Sequence, residues 1–384
     1  MALKVSRRGQ VPPFIAMDML RAANERAAAG GDVLHLEVGQ PGSRAPDPVC
    51  AAARRALEEG AYLGYTDARG IPELRRAIAE HYRADYGVEV DPERTLVTPG
   101  SSGGFQLAFL AAFEPGDRVA LAAPGYPAYR NILAALGLET VTVLADEEHR
   151  FQPTPDLLDA VEGPLHGLII ASPSNPTGTM LGRAELGALV DYCRDRGVRL
   201  ISDEIYHGIA FGERAVSTLE FGDEAIVVNS FSKYFAMTGW RLGWSIVPED
   251  LLRPMECLAQ NLFISPPTLS QYAGVAAFGC KAELDQVVEG YARNRAILLR
   301  ELPKAGFDRL APADGAFYLY ADVGHLTNDS EDFCRRMLAE TGVATTPGID
   351  FDPERGRRFL RFSFAGAEAD MAEAARRLAA WTGR

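Results

Sequence analysis

The sequence predicts an α/β fold, with a mostly parallel sheet in a large domain and a smaller α/β domain beside it. Short β-rich runs alternate with helix-period segments from about residue 47 to residue 279, the pattern of strands joined by crossover helices. Polar residues with useful chemistry follow the ends of those runs, where open α/β sheets bind ligands. A helical pattern through Val287, Val288, Tyr291, Ile297 and Leu298 then leads to two further strand-like runs. The large domain is therefore expected at residues 46–280, and the smaller one includes residues 281–384.

Taken in order, the first run is Arg94-Thr95-Leu96-Val97-Thr98, followed by Pro99-Gly100-Ser101-Ser102-Gly103-Gly104 and an apolar helix from Phe105 to Phe113. Small residues opening a helix expose backbone N–H groups and the positive end of its dipole, which suits a phosphate. The turn is neither a G-x-G-x-x-G dinucleotide loop nor a G-K-[ST] triphosphate loop. Val119 to Ala122 forms the next run and leads into Pro124-Gly125-Tyr126-Pro127. Tyr126 there is placed to stack on a flat aromatic ring.

Gly167 to Ala171 is a third short apolar strand, with Ser172-Pro173-Ser174-Asn175-Pro176-Thr177-Gly178 after it. A residue before proline is held extended, so the Asn175 amide can be aimed at a ligand. Val198 to Ser202 ends in Asp203-Glu204-Ile205-Tyr206. A carboxylate at that position can pair with a protonated pyridine nitrogen, and Tyr206 can donate to a phenolic oxygen. Ala225 to Val228 precedes Ser230-Phe231-Ser232-Lys233, with Arg241 eight residues beyond the lysine. A strand-end lysine can form a Schiff base with an aldehyde, while hydroxyls and a guanidinium hold a phosphate beside it. Pyridoxal phosphate carries both groups on one ring. In the smaller domain, Phe317 to Tyr320 and Phe359 to Ser363 read as strands, and Glu368 to Trp381 as a helix packed on the surface.

Each of these features alone has an ordinary structural explanation. Together and in this order they resemble the class I/II aminotransferases of the fold-type I pyridoxal phosphate family. The resemblance runs from Leu36-Glu37-Val38-Gly39-Gln40-Pro41 to Arg361-Phe362-Ser363-Phe364-Ala365, and takes in Tyr62-Leu63-Gly64-Tyr65-Thr66-Asp67-Ala68-Arg69-Gly70. It implies a seven-stranded type of sheet, with the N-terminal residues 1–45 joining the smaller domain. Lys233 would be the Schiff-base lysine and later the general base. Asp203 would pair with the ring nitrogen, Asn175 and Tyr206 with the phenolic oxygen, and Tyr126 with the ring face. Ser101, Ser102, Gly103, Ser230, Ser232 and Arg241 would hold the phosphate. Tyr65 would reach the phosphate bound in the other subunit of a homodimer. Arg361 would clamp the substrate α-carboxylate, with Gly39 and Asn175 lining the substrate site.

The implied activity is ping-pong transfer of an amino group from an L-amino acid to a 2-oxo acid. No residue is assignable from sequence to a side-chain carboxylate. Phe14, Tyr126, Trp240 and Phe351 suggest an apolar pocket, so a neutral or aromatic donor is expected, with 2-oxoglutarate or pyruvate as acceptor. Same-fold lyases, decarboxylases and aminocyclopropane-carboxylate synthases share the cofactor groups and are the alternative. A ligand-sensing regulator is the other, but the enzyme-like sequence begins within the first forty residues and leaves no room for a DNA-binding domain.

Composition is compatible with these expectations. The 384 residues suffice for a large core and two domains. A formal net charge of -13 argues against nucleic acid and anionic membranes as partners. The five cysteines are scattered and odd in number, which fits a cytoplasmic protein better than a disulfide framework. No N-terminal apolar run suggests a signal peptide or a membrane span. The six histidines form no metal motif, and His207 lies near the expected pocket.

Overall fold

The computed structural model describes residues 3–383. Its elements of interest, in chain order, are α1 (Ile15–Ala28), β1 (Thr95–Thr98), α2 (Ser101–Ala112), β2 (Arg118–Ala123), α3 (Pro127–Leu136), β3 (Glu139–Leu144) and β4 (Gly167–Ala171). They continue with α4 (Arg183–Arg196), β5 (Arg199–Asp203), β6 (Ile226–Ser230), β7 (Gly243–Ile246), α5 (Lys281–Glu301), β8 (Tyr318–Asp322) and β9 (Phe359–Ser363). The large sheet has seven strands in the order β1-β7-β6-β5-β4-β2-β3. β7 is antiparallel to both neighbours, and the remaining pairs are parallel.

Strand periodicity explains how this sheet is buried on both faces. Leu168 and Ile170 of β4 and Leu200 of β5 pack on one side with Leu186 and Leu189 of α4. Ile169, Ile201 and Ile226 point the other way, onto Phe105 and Phe109 of α2. Each such fully buried aliphatic side chain stabilises the fold by roughly 1.5–3 kcal/mol.

Glycine was misleading at α2. Gly103 and Gly104 suggest a turn because glycine is a weak helix former, yet the helix begins at Ser101, not Phe105. A Cβ at Gly104 would come within 3.0 Å of the Ser245 hydroxyl and 3.2 Å of a Val228 methyl. Gly104 is thus what allows α2 to lie close on β6 and β7. The turn residue is Gly100, whose φ of 76° favours glycine. Strand ends also differ by a residue or two from expectation, so that Asp203 and Ser230 are the last residues of β5 and β6.

A second, antiparallel sheet has four strands: Thr346–Pro347, β9, β8 and Arg309–Leu310. Leu34–His35 pairs in parallel with Val343–Ala344, which ties the N-terminal segment to the C-terminal part. The start of α1 is held there too, since the Ile15 and Ala16 N–H groups donate to the Asp350 carboxylate at 3.1 and 3.0 Å. Ala16 and Met17, at the start of α1, line a cavity together with Ala171 and Asp203, the last residues of β4 and β5. No helix among the described residues is long and apolar enough to cross a membrane.

Candidate active site

A cavity of about 510 Å³ lies at those strand ends, between the two sheets. Of the expected residues, Gly39, Ser101, Ser102, Tyr126, Asn175, Asp203, Tyr206, Ser232, Lys233, Arg241 and Arg361 line it. Ser230 does not: as the last residue of β6 it faces inward, with its hydroxyl 2.9 Å from that of Ser232 and 3.3 Å from the Leu242 carbonyl. Gly103 is likewise buried, and packs on Pro99. Tyr65 lies outside the cavity and is 78% exposed. His207 is also outside: buried, it bridges the Tyr86 hydroxyl at 2.9 Å and the Ser172 carbonyl at 3.0 Å, and burial lowers its pKa to about 3. Of the four aromatic residues expected around the substrate, Phe14 and Tyr126 line the cavity. Phe351 lies against the Arg361 guanidinium at 4.8 Å, and Trp240 borders a separate depression with Gln40 and Pro41.

One end of the cavity is built for an anion. Ser101 and Ser102 open α2, whose first-turn N–H groups lack helical acceptors. The Arg241 guanidinium packs against Gly100 so closely that any Cβ there would strike it. Ser232 and Thr238 line the same region. At the deep end, Asp203 is buried and accepts from the Ile205 N–H at 3.1 Å and from the Tyr129 hydroxyl. Burial pushes its pKa up to about 7, against the opposing effect of the Tyr129 hydrogen bond.

Lys233 sits between these ends, its amine 2.6 Å from the Gly39 carbonyl oxygen. Burial and, secondarily, Arg361 bring its pKa down to about 8, so that a neutral amine is accessible. Arg361 itself is almost fully buried. It donates to Asn175 Oδ1 at 2.8 Å, to the Glu37 carbonyl at 2.6 Å and to Thr346 Oγ1 at 3.2 Å, with Tyr318 stacked 4.4 Å from its guanidinium carbon. A desolvated guanidinium fixed this firmly suits bidentate recognition of a carboxylate.

Groups of this site not foreseen from sequence include Tyr129, Tyr318, Thr238, Thr346 and the Glu37 carbonyl. Tyr129 lies one helical turn beyond Tyr126, which was the available signal. Tyr318 was visible only as part of an alternating strand, and a backbone carbonyl gives no sequence signal.

Anion-binding groups, an amine and a buried carboxylate, all lining one cavity, fit the phosphate, aldehyde and ring nitrogen of pyridoxal phosphate. The sheet and the site together define a fold-type I pyridoxal phosphate enzyme. The model of aminotransferase class I and II matches residues 31–378, and the chain belongs to that family. It is 52% identical over 382 residues to the valine–pyruvate aminotransferase of Mycobacterium tuberculosis, covering 98% of each chain. A crystal structure of an aminotransferase from the same organism matches with a TM-score of 0.98 at 52% identity over 100% of both chains. The aspartate aminotransferase of Thermus thermophilus with maleate matches at 0.93 and 32% identity, over 99% of this chain and 100% of that one. The protein is a pyridoxal phosphate-dependent aminotransferase acting on an amino acid and a 2-oxo acid.

Proposed function

We propose that the donor is a neutral, aliphatic L-amino acid and the acceptor pyruvate, and that the residues lining the cavity act in the roles argued from sequence. The observation that carries this reading is the charge inventory of the wall. Its cations among the described residues are Lys233, Arg241 and Arg361. Each has a role, so within one chain none is left for a second substrate carboxylate. Phe14, Met17, Val38 and Ile132 supply an apolar remainder. The 52% identical relative that bears the name valine–pyruvate aminotransferase supports the same donor and acceptor.

Bound pyridoxal phosphate supplies a carbonyl that takes up the amino group and a protonated ring that withdraws electrons from the substrate Cα. Arg361 grips the α-carboxylate and fixes which bond at Cα faces Lys233. Asn175, whose Oδ1 is engaged by Arg361, keeps its amide N–H₂ for the ligand. Lys233 would take the proton from Cα and pass it to the cofactor's carbonyl carbon. Asp203 keeps a proton at the ring nitrogen, and its Tyr129 contact holds the carboxylate in place. Ser101, Ser102, Ser232 and Arg241 retain the phosphate, while Tyr206 donates to the phenolic oxygen.

Assembly as a homodimer belongs to the same proposal. Tyr62 and Tyr65 are 88% and 78% exposed, with Leu63, Leu262 and Ile264 also exposed, a combination that favours a covered surface. Residues 46–280 would then form the large domain, and residues 1–45 with 281–384 the smaller one. The free, scattered cysteines support a cytoplasmic location.

The test is a matrix of amino donors against pyruvate and 2-oxoglutarate. With pyruvate, valine should exceed aspartate in kcat/KM by at least roughly 100-fold, the effect of burying an unpaired carboxylate. A preference for aspartate or glutamate would overturn the donor assignment.

A further inference from the structure

We propose that Tyr318 is a positioning residue whose hydroxyl donates to Tyr206 and thereby strengthens the hydrogen bond Tyr206 gives to the cofactor's phenolic oxygen. The inference rests on the role of Tyr206 proposed above and adds a second hydroxyl behind it.

The two hydroxyl oxygens are 2.7 Å apart, and the rings meet edge-on at 5.7 Å between centroids. Both residues are buried, so each hydroxyl depends on the protein for partners. The Tyr318 ring already serves Arg361 by stacking beneath its guanidinium, and phenylalanine would stack equally well. The hydroxyl therefore needs a separate explanation. Room for it is provided at Gly39, where any Cβ would collide with the Tyr318 hydroxyl oxygen.

Proton counting sets the direction. A hydroxyl has one proton to donate and can also accept. An ionised phenolic oxygen can only accept, so Tyr206 must spend its proton there. Tyr206 is then left as the acceptor toward Tyr318, which donates. Such a chain is cooperative, each bond polarising the next by about 10–30%. The charged and titratable groups facing the pair are Arg361 from β9, Lys233 beyond β6, Asp203 from β5, Tyr126 ahead of α3 and Tyr291 from α5. All of them are untouched by Tyr318→Phe, which removes a single oxygen.

The experiment is a pH titration of the visible absorbance of the holoenzyme without substrate, which follows protonation of the Schiff-base nitrogen on Lys233. A stronger hydrogen bond to the phenolic oxygen stabilises its negative charge and weakens its hold on that proton. Tyr206→Phe should therefore raise the midpoint. Tyr318→Phe should raise it by about a tenth to a third as much, and the double variant should match Tyr206→Phe alone. A Tyr318→Phe midpoint at or below that of the wild type would overturn the proposal while leaving the Tyr206 assignment standing. Additive shifts in the double variant would overturn it too, because Tyr318 would then act without Tyr206. An unshifted Tyr206→Phe midpoint would remove the assignment of Tyr206, and the proposal with it.

Discussion

The floor of the cavity and the Tyr62–Tyr65 segment contrast in how they are completed. On the floor, Asp203, Tyr206 and Arg361 are buried and hydrogen-bonded within one chain. The Tyr62–Tyr65 segment presents two exposed tyrosines and an exposed leucine to solvent. Buried polar groups must be satisfied by the fold that buries them, so the floor is finished when the chain folds. Exposed aromatic side chains gain their stabilisation only when something covers them. In the proposed homodimer, the site would have chemistry built into the chain and a supplement from association.

Substitutions can break this contrast, starting with the floor. Lys233→Ala should lower transamination by at least roughly 10⁴-fold, since it removes the covalent anchor and the base together. Equilibrium dialysis should still detect bound cofactor through the remaining contacts. Asp203→Asn comes next, at roughly 100- to 1,000-fold in the rate of Cα proton exchange. A neutral amide cannot hold the ring proton, and a broken buried charge pair costs about 3–4 kcal/mol. Normal turnover in that variant would assign the ring nitrogen another partner.

Arg361→Lys should act on KM more than on kcat, raising KM for the amino acid by about 10- to 100-fold. A point charge replaces the planar fork and loses about 1.5–3 kcal/mol of charge-assisted bonding. An unchanged KM would place carboxylate recognition elsewhere. The smallest effect belongs to the exposed segment. Tyr65→Phe should weaken cofactor binding by about 10-fold, the lower end of what one hydrogen bond to a charged phosphate contributes. Mixing Tyr65→Phe with Lys233→Ala chains sharpens the contrast, because a shared site would regain one complete copy per heterodimer. Activity no higher than that of the Tyr65→Phe homodimer, once heterodimers are shown to form, would assign Tyr65 to its own subunit.

Legibility in the sequence followed the same division between local and distant partners. Asn175, Asp203, Lys233 and Arg241 stand in compact segments just past apolar strands, so residue order alone gathered them into one candidate site. Tyr129 and Tyr318 escaped notice because their partners are 74 and 112 residues away. Aromatic residues in a helix or strand ordinarily read as core, and only the folded sheet shows where their hydroxyls point. Ser230 differs from its neighbours Ser232 and Lys233, which line the cavity: it is the last residue of β6 and is buried, with its hydroxyl 2.9 Å from that of Ser232. The Gly103-Gly104 pair reads as a turn, whereas Gly104 supplies close packing of α2 on β6 and β7 and Gly103 packs on Pro99.

Lys233, which lines one cavity with the anion-binding groups and the buried Asp203, is proposed to bear the cofactor. Borohydride reduction of the purified, visibly absorbing enzyme, followed by proteolysis and mass spectrometry, tests it most directly. One reduced adduct is expected, on the peptide containing Lys233. An adduct on Lys281 or Lys304, or no fixed chromophore at all, would contradict it.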